Sequence, residues 1–386
     1  MKSHHKPLNI GEHSLIPIVQ GGMGIGVSAH QLASAVAREN GMGTIASVDL
    51  RHLHPDLLAE SLIEPSEEKY NRLNHQALDR EVKQALHDSS GRGMIAVNVM
   101  KAVKDYAGLI RQACESGAQA IVMGAGLPLE LPDLTVDFPR VKLLPILSES
   151  RGVGIVLKRW MKKNRLPDAI VIEHPAYAAG HLGASGVADL QHERFDFKRV
   201  LPDVFELYKN LGLESEKIPV IVAGGMANQE KIKQALMQWG ASGVQIGSAF
   251  AVTQEGDAHA NFKKVLLEGT PDDMVEFMSV AGLPARGVNS QFLTYYLKRE
   301  EALQSNAKAD NRRCVQKLNC LSVCGLRDGI ASMGQFCIDQ RLSAAWRGEM
   351  KKGLFFKGNA PLPFGSCMKT VRETIDYLMQ GLRLAS

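Results

Sequence analysis

The chain has 386 residues, 45% of them hydrophobic, with 36 glycines and a formal net charge of +4 from 45 basic and 41 acidic side chains. That length fits one barrel domain of about 250 residues with additions, or two smaller domains, and the near-balance of charge argues against a nucleic-acid or membrane-surface binder. No apolar run reaches the roughly 18 residues of a transmembrane helix, and the N-terminus Met1-Lys2-Ser3-His4-His5-Lys6 lacks the apolar stretch of a secretion signal. A cytoplasmic protein is therefore expected. Its six cysteines stay reduced there, so a group of them points to a metal before it points to disulfides.

Read in chain order, short β-branched runs alternate with amphipathic helices. The first strand is expected at Ile16–Gln20 and runs into Gly21-Gly22-Met23-Gly24-Ile25-Gly26, with a helix from about Ser28 carrying Leu32, Ala35 and Val36. Further strands are expected at Thr44–Ser47, Met94–Val99 (with Asn98 near its end), Ala120–Met123, Val141–Leu147 and Ala169–Ile172. The charged stretch Glu67 to Asp88 reads as a solvated helix. After the sixth strand comes an irregular loop, His174 to Gly183, and then a helix over Phe195–Leu211.

The last two strands are the most informative. Ile218-Pro219-Val220-Ile221-Val222-Ala223 ends in Gly224-Gly225-Met226, and Gly243-Val244-Gln245-Ile246 ends in Gly247-Ser248-Ala249-Phe250. Asn228 to Gly240 between them reads as a capped helix. Strand, glycine turn, helix, strand, glycine turn is the phosphate-gripping corner of a (β/α)8 barrel, where backbone N–H groups face an anion. The expected fold is thus α/β, a TIM barrel over residues 10–255, followed by a helical, cysteine-bearing extension over 256–386 packed on the barrel. Within the extension, Glu255–Glu268, Asp272–Val280 and Glu300–Asp310 read as helical. Phe355-Phe356 and Pro361–Phe364 are expected to pack the extension on the barrel or over the site, and Val371–Leu384 reads as an amphipathic docking helix or dimer surface.

Five of these motifs, in this order, resemble the nitronate monooxygenase (2-nitropropane dioxygenase-like) flavoproteins, a superfamily that includes flavin-dependent enoyl-acyl-carrier-protein reductases and quinone reductases. They are Pro17 to Gly24, Asn98, Ala179-Gly180-His181-Leu182-Gly183, Val222 to Met226, and Gln245 to Phe250, and the resemblance spans roughly residues 10–290. It implies FMN over the C-terminal mouth of the barrel. Gly22 and Met23 would lie by the isoalloxazine, with Asn98, His174 and Gly180 near it. Gly224, Gly225, Gln245, Gly247 and Ser248 would hold the ribityl phosphate. His181 matches the active-site histidine, a base or an orienting donor for substrate. The sequence departs from the family at this loop: Tyr177 stands at an acidic position and Ala179 at a glycine, so an altered substrate is implied.

Cys314, Cys320, Cys324 and Cys337 give the spacing C-x5-C-x3-C-x12-C. Four thiolates suit a [4Fe–4S] cluster or zinc. Paired C-x2-C knuckles are absent, which favours the cluster over zinc, and the spacing is similar to cluster loops appended to some flavin barrel enzymes. Arg312, Arg313, Lys317 and Arg327 would offset its negative charge. Cys114 reads as a small core residue, and Cys367 as the weaker ligand candidate.

The leading functional expectation is an FMN-dependent oxidoreductase of the nitronate monooxygenase type acting on a small molecule. A second is an enoyl-thioester or quinone reductase fed by NAD(P)H or an electron-donor protein such as ferredoxin. A third, of another class, is a non-catalytic metal-stabilised binding protein. A homodimer is one assembly that the amphipathic last segment, Val371–Leu384, allows.

Overall fold

The computed structural model describes residues 3–181, 183–314 and 319–384; Leu182 and Lys317 of the motifs above lie outside them. Eight parallel strands close into a barrel: β1 (Ile18–Gln20), β2 (Met42–Ala46), β3 (Met94–Met100), β4 (Ala120–Gly124), β5 (Lys142–Leu147), β6 (Ile170–Glu173), β7 (Val220–Ala223) and β8 (Gly243–Ile246). Closure comes from β8 pairing back onto β1, with Val244 opposite Ile18 and Ile246 opposite Gln20. The expected strands are all present, with no end shifted by more than two residues.

Strand alternation sorts the side chains into two cores. Along β3, Ile95, Val97 and Val99 face the helices, while Met94 and Ala96 face the barrel axis. The same rule turns Ile170 and Ile172 of β6 outward and Val171 inward. Continued one step further, it sends Asn98, Glu173 and Gln245 inward at the C-terminal ends of their strands. The opposite end of the barrel is closed by a hairpin, Leu8–Ile10 with His13–Leu15, whose Leu8, Ile10 and Leu15 join the inner core.

Two helical expectations change. Glu67–Ser89 is one long helix, but Tyr70, Leu73, Leu78 and Val82 on one face are buried, so only its other face is solvated. Asp272–Val280 is not a helix: Met274–Met278 is a strand, antiparallel to Pro284–Val288. Its apolar residues support either reading, and the partner strand, reached through a turn at Gly282 (φ +75°), decides between them. The final helix, Val371–Leu378, packs Val371, Ile375 and Leu378 into the main core of its own chain, and Leu382–Leu384 then pairs with Ser3–His5.

Candidate active site

The C-terminal mouth of the barrel opens into a cavity. Gly22, Met23, Asn98, Gly180, His181, Gly224, Gly225, Gln245, Gly247 and Ser248 all line it, although they come from four βα loops and two strand ends. His174 does not. It follows Glu173 directly, and successive residues leaving a strand point to opposite sides. Glu173 therefore lines the cavity, while His174 is buried among Tyr177 and Phe197 and spends its Nδ1 on the Ala176 amide at 3.2 Å.

On the β1, β7 and β8 side the wall is glycine backbone. A Cβ on Gly22 would sit 2.4 Å from Cβ of Asn98, an impossible contact that fixes glycine there. Gly224 and Gly225 have φ of +95° and +77°. A Cβ on Gly224 would lie 2.8 Å from the His174 carbonyl oxygen, so these glycines also let the loop after β6 pass close by. Gly247 is different: a Cβ there meets only the Met23 side chain, its Sδ at an ordinary 3.5 Å. The Ser248 hydroxyl accepts a hydrogen bond from the Gly358 amide at 3.0 Å, which ties the end of the chain to this corner.

The opposite wall is built from distant sequence. Gly180 and His181 form a two-residue strand against Ala285 and Arg286. Arg286, 1% exposed, donates to the carbonyl oxygen of Pro175 at 3.2 Å and to that of Ala178, and pairs with Glu276. One buried guanidinium thus pins the loop that carries His181. Phe356 stands edge-on to the His181 ring, 6.0 Å between centroids, and Leu342, Ala345 and Leu362 complete this side. Sequence reading passed over Glu173 and Arg286. A signal existed for Glu173, a lone acid at the end of an inward-facing strand pattern. For Arg286 there was none, because the Pro175 and Ala178 carbonyls it binds lie more than a hundred residues away.

Two titratable groups in the cavity carry perturbed proton affinity. Enclosure by protein holds the His181 imidazole down at about 4, so it is neutral at physiological pH. Its Nε2 is buried and has no hydrogen-bond partner among the described residues. Burial pushes the Glu173 carboxyl up to about 7, although the residue keeps one edge on the cavity. A glycine-walled floor, an unpartnered buried nitrogen and a near-neutral acid fit a planar, polar cofactor with a phosphorylated tail, such as FMN.

Comparison with known proteins agrees with this geometry. The model of the family described as nitronate monooxygenase matches residues 8–360. A probable nitronate monooxygenase of Bacillus subtilis (strain 168) is 26% identical over 286 residues, covering 72% of this chain and 77% of its own. One from Staphylococcus aureus (strain N315) is 21% identical over 381 residues, covering 94% and 95%. Among solved structures, FabK from Thermotoga maritima superposes with a TM-score of 0.62 at 20% identity, covering 95% of this chain and 92% of that one. A nitroalkane oxidase from Streptomyces ansochromogenes gives 0.62 at 19% identity, covering 95% of each; at such identity these two speak for the barrel fold alone. The family match runs through every element of the mouth, which sets aside the non-catalytic reading: the chain is an oxidoreductase of the flavin-dependent kind and belongs to the nitronate monooxygenase family.

Proposed function

We propose that this protein uses FMN to oxidise a nitronate or a similar small, acidic-carbon substrate, with His181 as the group that handles the substrate's proton or orients its anionic end. The observation that carries this reading is the buried, unpartnered Nε2 of His181 on the cavity wall. A neutral imidazole offers one donor and one acceptor, so it can either take a proton or hydrogen-bond an oxyanion. Bound FMN would supply the two-electron redox chemistry.

The chain's own contributions follow from the two walls. Gly22 and Met23 lie where the flat ring would rest, and Asn98 there has its Nδ2 engaged with the Val122 carbonyl at 3.2 Å, which leaves its oxygen free to accept. The loops at Gly224-Gly225 and Gly247-Ser248, with Gln245 beside them, would receive the phosphate through backbone amides. Glu173, protonated below about pH 7, would present a donor and not a second negative charge to an electron-rich cofactor. Phe356 and Leu362 would exclude water above the substrate. Tyr177, 44% exposed at the rim, would set which substrates enter.

A second reading has one observation in its favour: Cys337 of the extension caps the helix whose Leu342 and Ala345 line this cavity. An enoyl-thioester or quinone reductase drawing electrons from NAD(P)H or a ferredoxin-like protein would use a second redox centre there; a simple monooxygenase would not. The test is anaerobic mixing of the FMN-loaded protein with a nitronate, with NADH and with NADPH. Bleaching of flavin absorbance by the nitronate, lost in His181→Ala at unchanged FMN content, is the expected result. Bleaching by a pyridine nucleotide alone overturns the nitronate reading in favour of the reductase.

A further inference from the structure

We propose that Cys314, Cys320, Cys324 and Cys337 form the binding site for a [4Fe–4S] cluster that exchanges single electrons with the cofactor cavity. Backbone hydrogen bonds draw the four into one place. The Asp310 amide donates to the Arg327 carbonyl at 3.1 Å, bringing the segment before Cys314 to the short helix Gly325–Asp328 that Cys324 caps. The Gln335 side chain donates to the Gly325 carbonyl at 3.0 Å, bringing Cys337 to the same point. The Cys320 carbonyl accepts from the Lys104 amide at 3.0 Å, which fixes its strand to the loop after β3.

Cys320 and Cys324 pack against one apolar cluster, and Phe336 and Ile338, the neighbours of Cys337 on either side, belong to that same cluster. All four are partly buried. Among the described residues, however, no three of the sulfurs come within 4.8 Å of one another. Four thiolates on one zinc, with bonds of about 2.3 Å, would stand only about 3.8 Å apart. The wider arrangement calls for a larger object, and a cubane cluster held by four cysteines is one.

The surroundings suit an anionic cluster. Arg51 (1% exposed) and Arg327 stand within electrostatic reach of Cys320, and Arg341 within reach of Cys337. Arg312 does not join them: it is turned to solvent and paired with Asp310. Placement suits electron transfer. Cys337 caps the helix Ile338–Trp346, whose Leu342 and Ala345 line the cavity, and five residues of helix put Leu342 only about 7–8 Å along the axis from Cys337. Val103, three residues after the cavity-lining Met100, bridges to Leu321. In the proposed step one electron leaves the reduced cluster, which is oxidised by one equivalent, and enters the group in the cavity; no bond is made or broken at the cluster. The electron comes from a low-potential one-electron donor protein.

The full-length protein, purified without oxygen and reconstituted with ferrous iron and sulfide, tests this. Iron and acid-labile sulfide in equal amounts, about four of each per chain, and a paramagnetic signal on dithionite reduction are expected. Cys320→Ser and Cys337→Ser are expected to lose both, while Cys114→Ser and Cys367→Ser keep them. Bound zinc without iron, or no metal after reconstitution, overturns the proposal. To separate loss of the site from unfolding of a cysteine variant, flavin content and Tm are read in the same samples; a wild-type protein that takes up no cluster overturns the proposal regardless. Reduced methyl viologen should reduce the bound flavin several-fold faster with the cluster than in Cys337→Ser, and equal rates overturn the relay. The site rests on the flavin reading only for that last step: a protein that takes up iron and sulfide but no flavin would sink the proposed function and leave the cluster site standing.

Discussion

The two walls of the cavity are made in different ways. The β1–β7–β8 wall is local: each glycine turn follows its own strand, and register alone brings the three turns together. The wall opposite is assembled from afar. His181 is held by Arg286 and Ala285, faced by Phe356 and flanked by Leu342, residues that no local pattern links to the loop after β6. The local wall has the features of a cofactor grip. The assembled wall has those of a substrate chamber, where a change in the extension changes the chemistry without disturbing the barrel.

The comparison can be broken by mutating one wall and measuring both properties. The largest effect is expected from His181→Ala, a loss of about 10²–10⁴-fold in turnover with FMN content retained; loss of flavin in parallel would mean that the two walls are not separable. Next is Gly22→Ala on the local wall, where a Cβ has to displace Asn98 from 2.4 Å. At about 1–3 kcal/mol for such overpacking, FMN affinity should fall roughly 10–100-fold while the extension stays folded, as read by flavin fluorescence and circular dichroism.

Arg286→Met leaves Glu276 and two loop carbonyls without their donor. A cost of about 2–4 kcal/mol is expected by denaturant unfolding, with a raised KM and near-normal FMN binding. A variant that lost FMN as readily as activity would place Arg286 in the barrel's own framework.

The pH dependence sharpens the same contrast. His181 is held at about 4, below its unfolded value of about 6.5. Its folded state therefore binds protons less readily, and stability falls as pH drops from about 6.5 towards 4. Glu173 is held at about 7, above its unfolded value of about 4.5. Its ionisation opposes folding as pH rises from about 4.5 through 7. Glu173→Gln should remove the loss of Tm as pH rises from about 4.5 to 7 and keep the His181 limb, the loss of Tm as pH falls from about 6.5 towards 4; a variant that kept the first loss and shed the second would show that the assignment of the two limbs is reversed. The smallest effect is expected at the exposed Arg80–Asp56 pair far from either wall, where Arg80→Ala should change stability by less than about 1 kcal/mol.

The barrel was legible because each of its strands announces itself within a few residues. Eight short apolar runs recur along the chain, most with an amphipathic helix after them; four of them, β1, β4, β7 and β8, run into glycine, and the paired glycine corner after β7 and β8 marks a barrel. Ten of the eleven residues expected around the cofactor and substrate line one cavity for the same reason: they sit at strand ends, and strand ends of a closed barrel share a face. His174 was misplaced by one residue of strand parity, a step that sequence spacing does not resolve and that turns a side chain from the cavity to the core. The helix expected at Asp272–Val280 became a strand because a partner, Pro284–Val288, was available to pair with it. What the sequence determined by itself is the barrel, its glycine corner and the four-cysteine spacing, all of them short-range patterns. What only the tertiary structure decided is the second wall and the docking of the extension on the barrel. Both depend on hydrogen bonds and packing between residues a hundred or more positions apart, where the chain carries no local record of its partner.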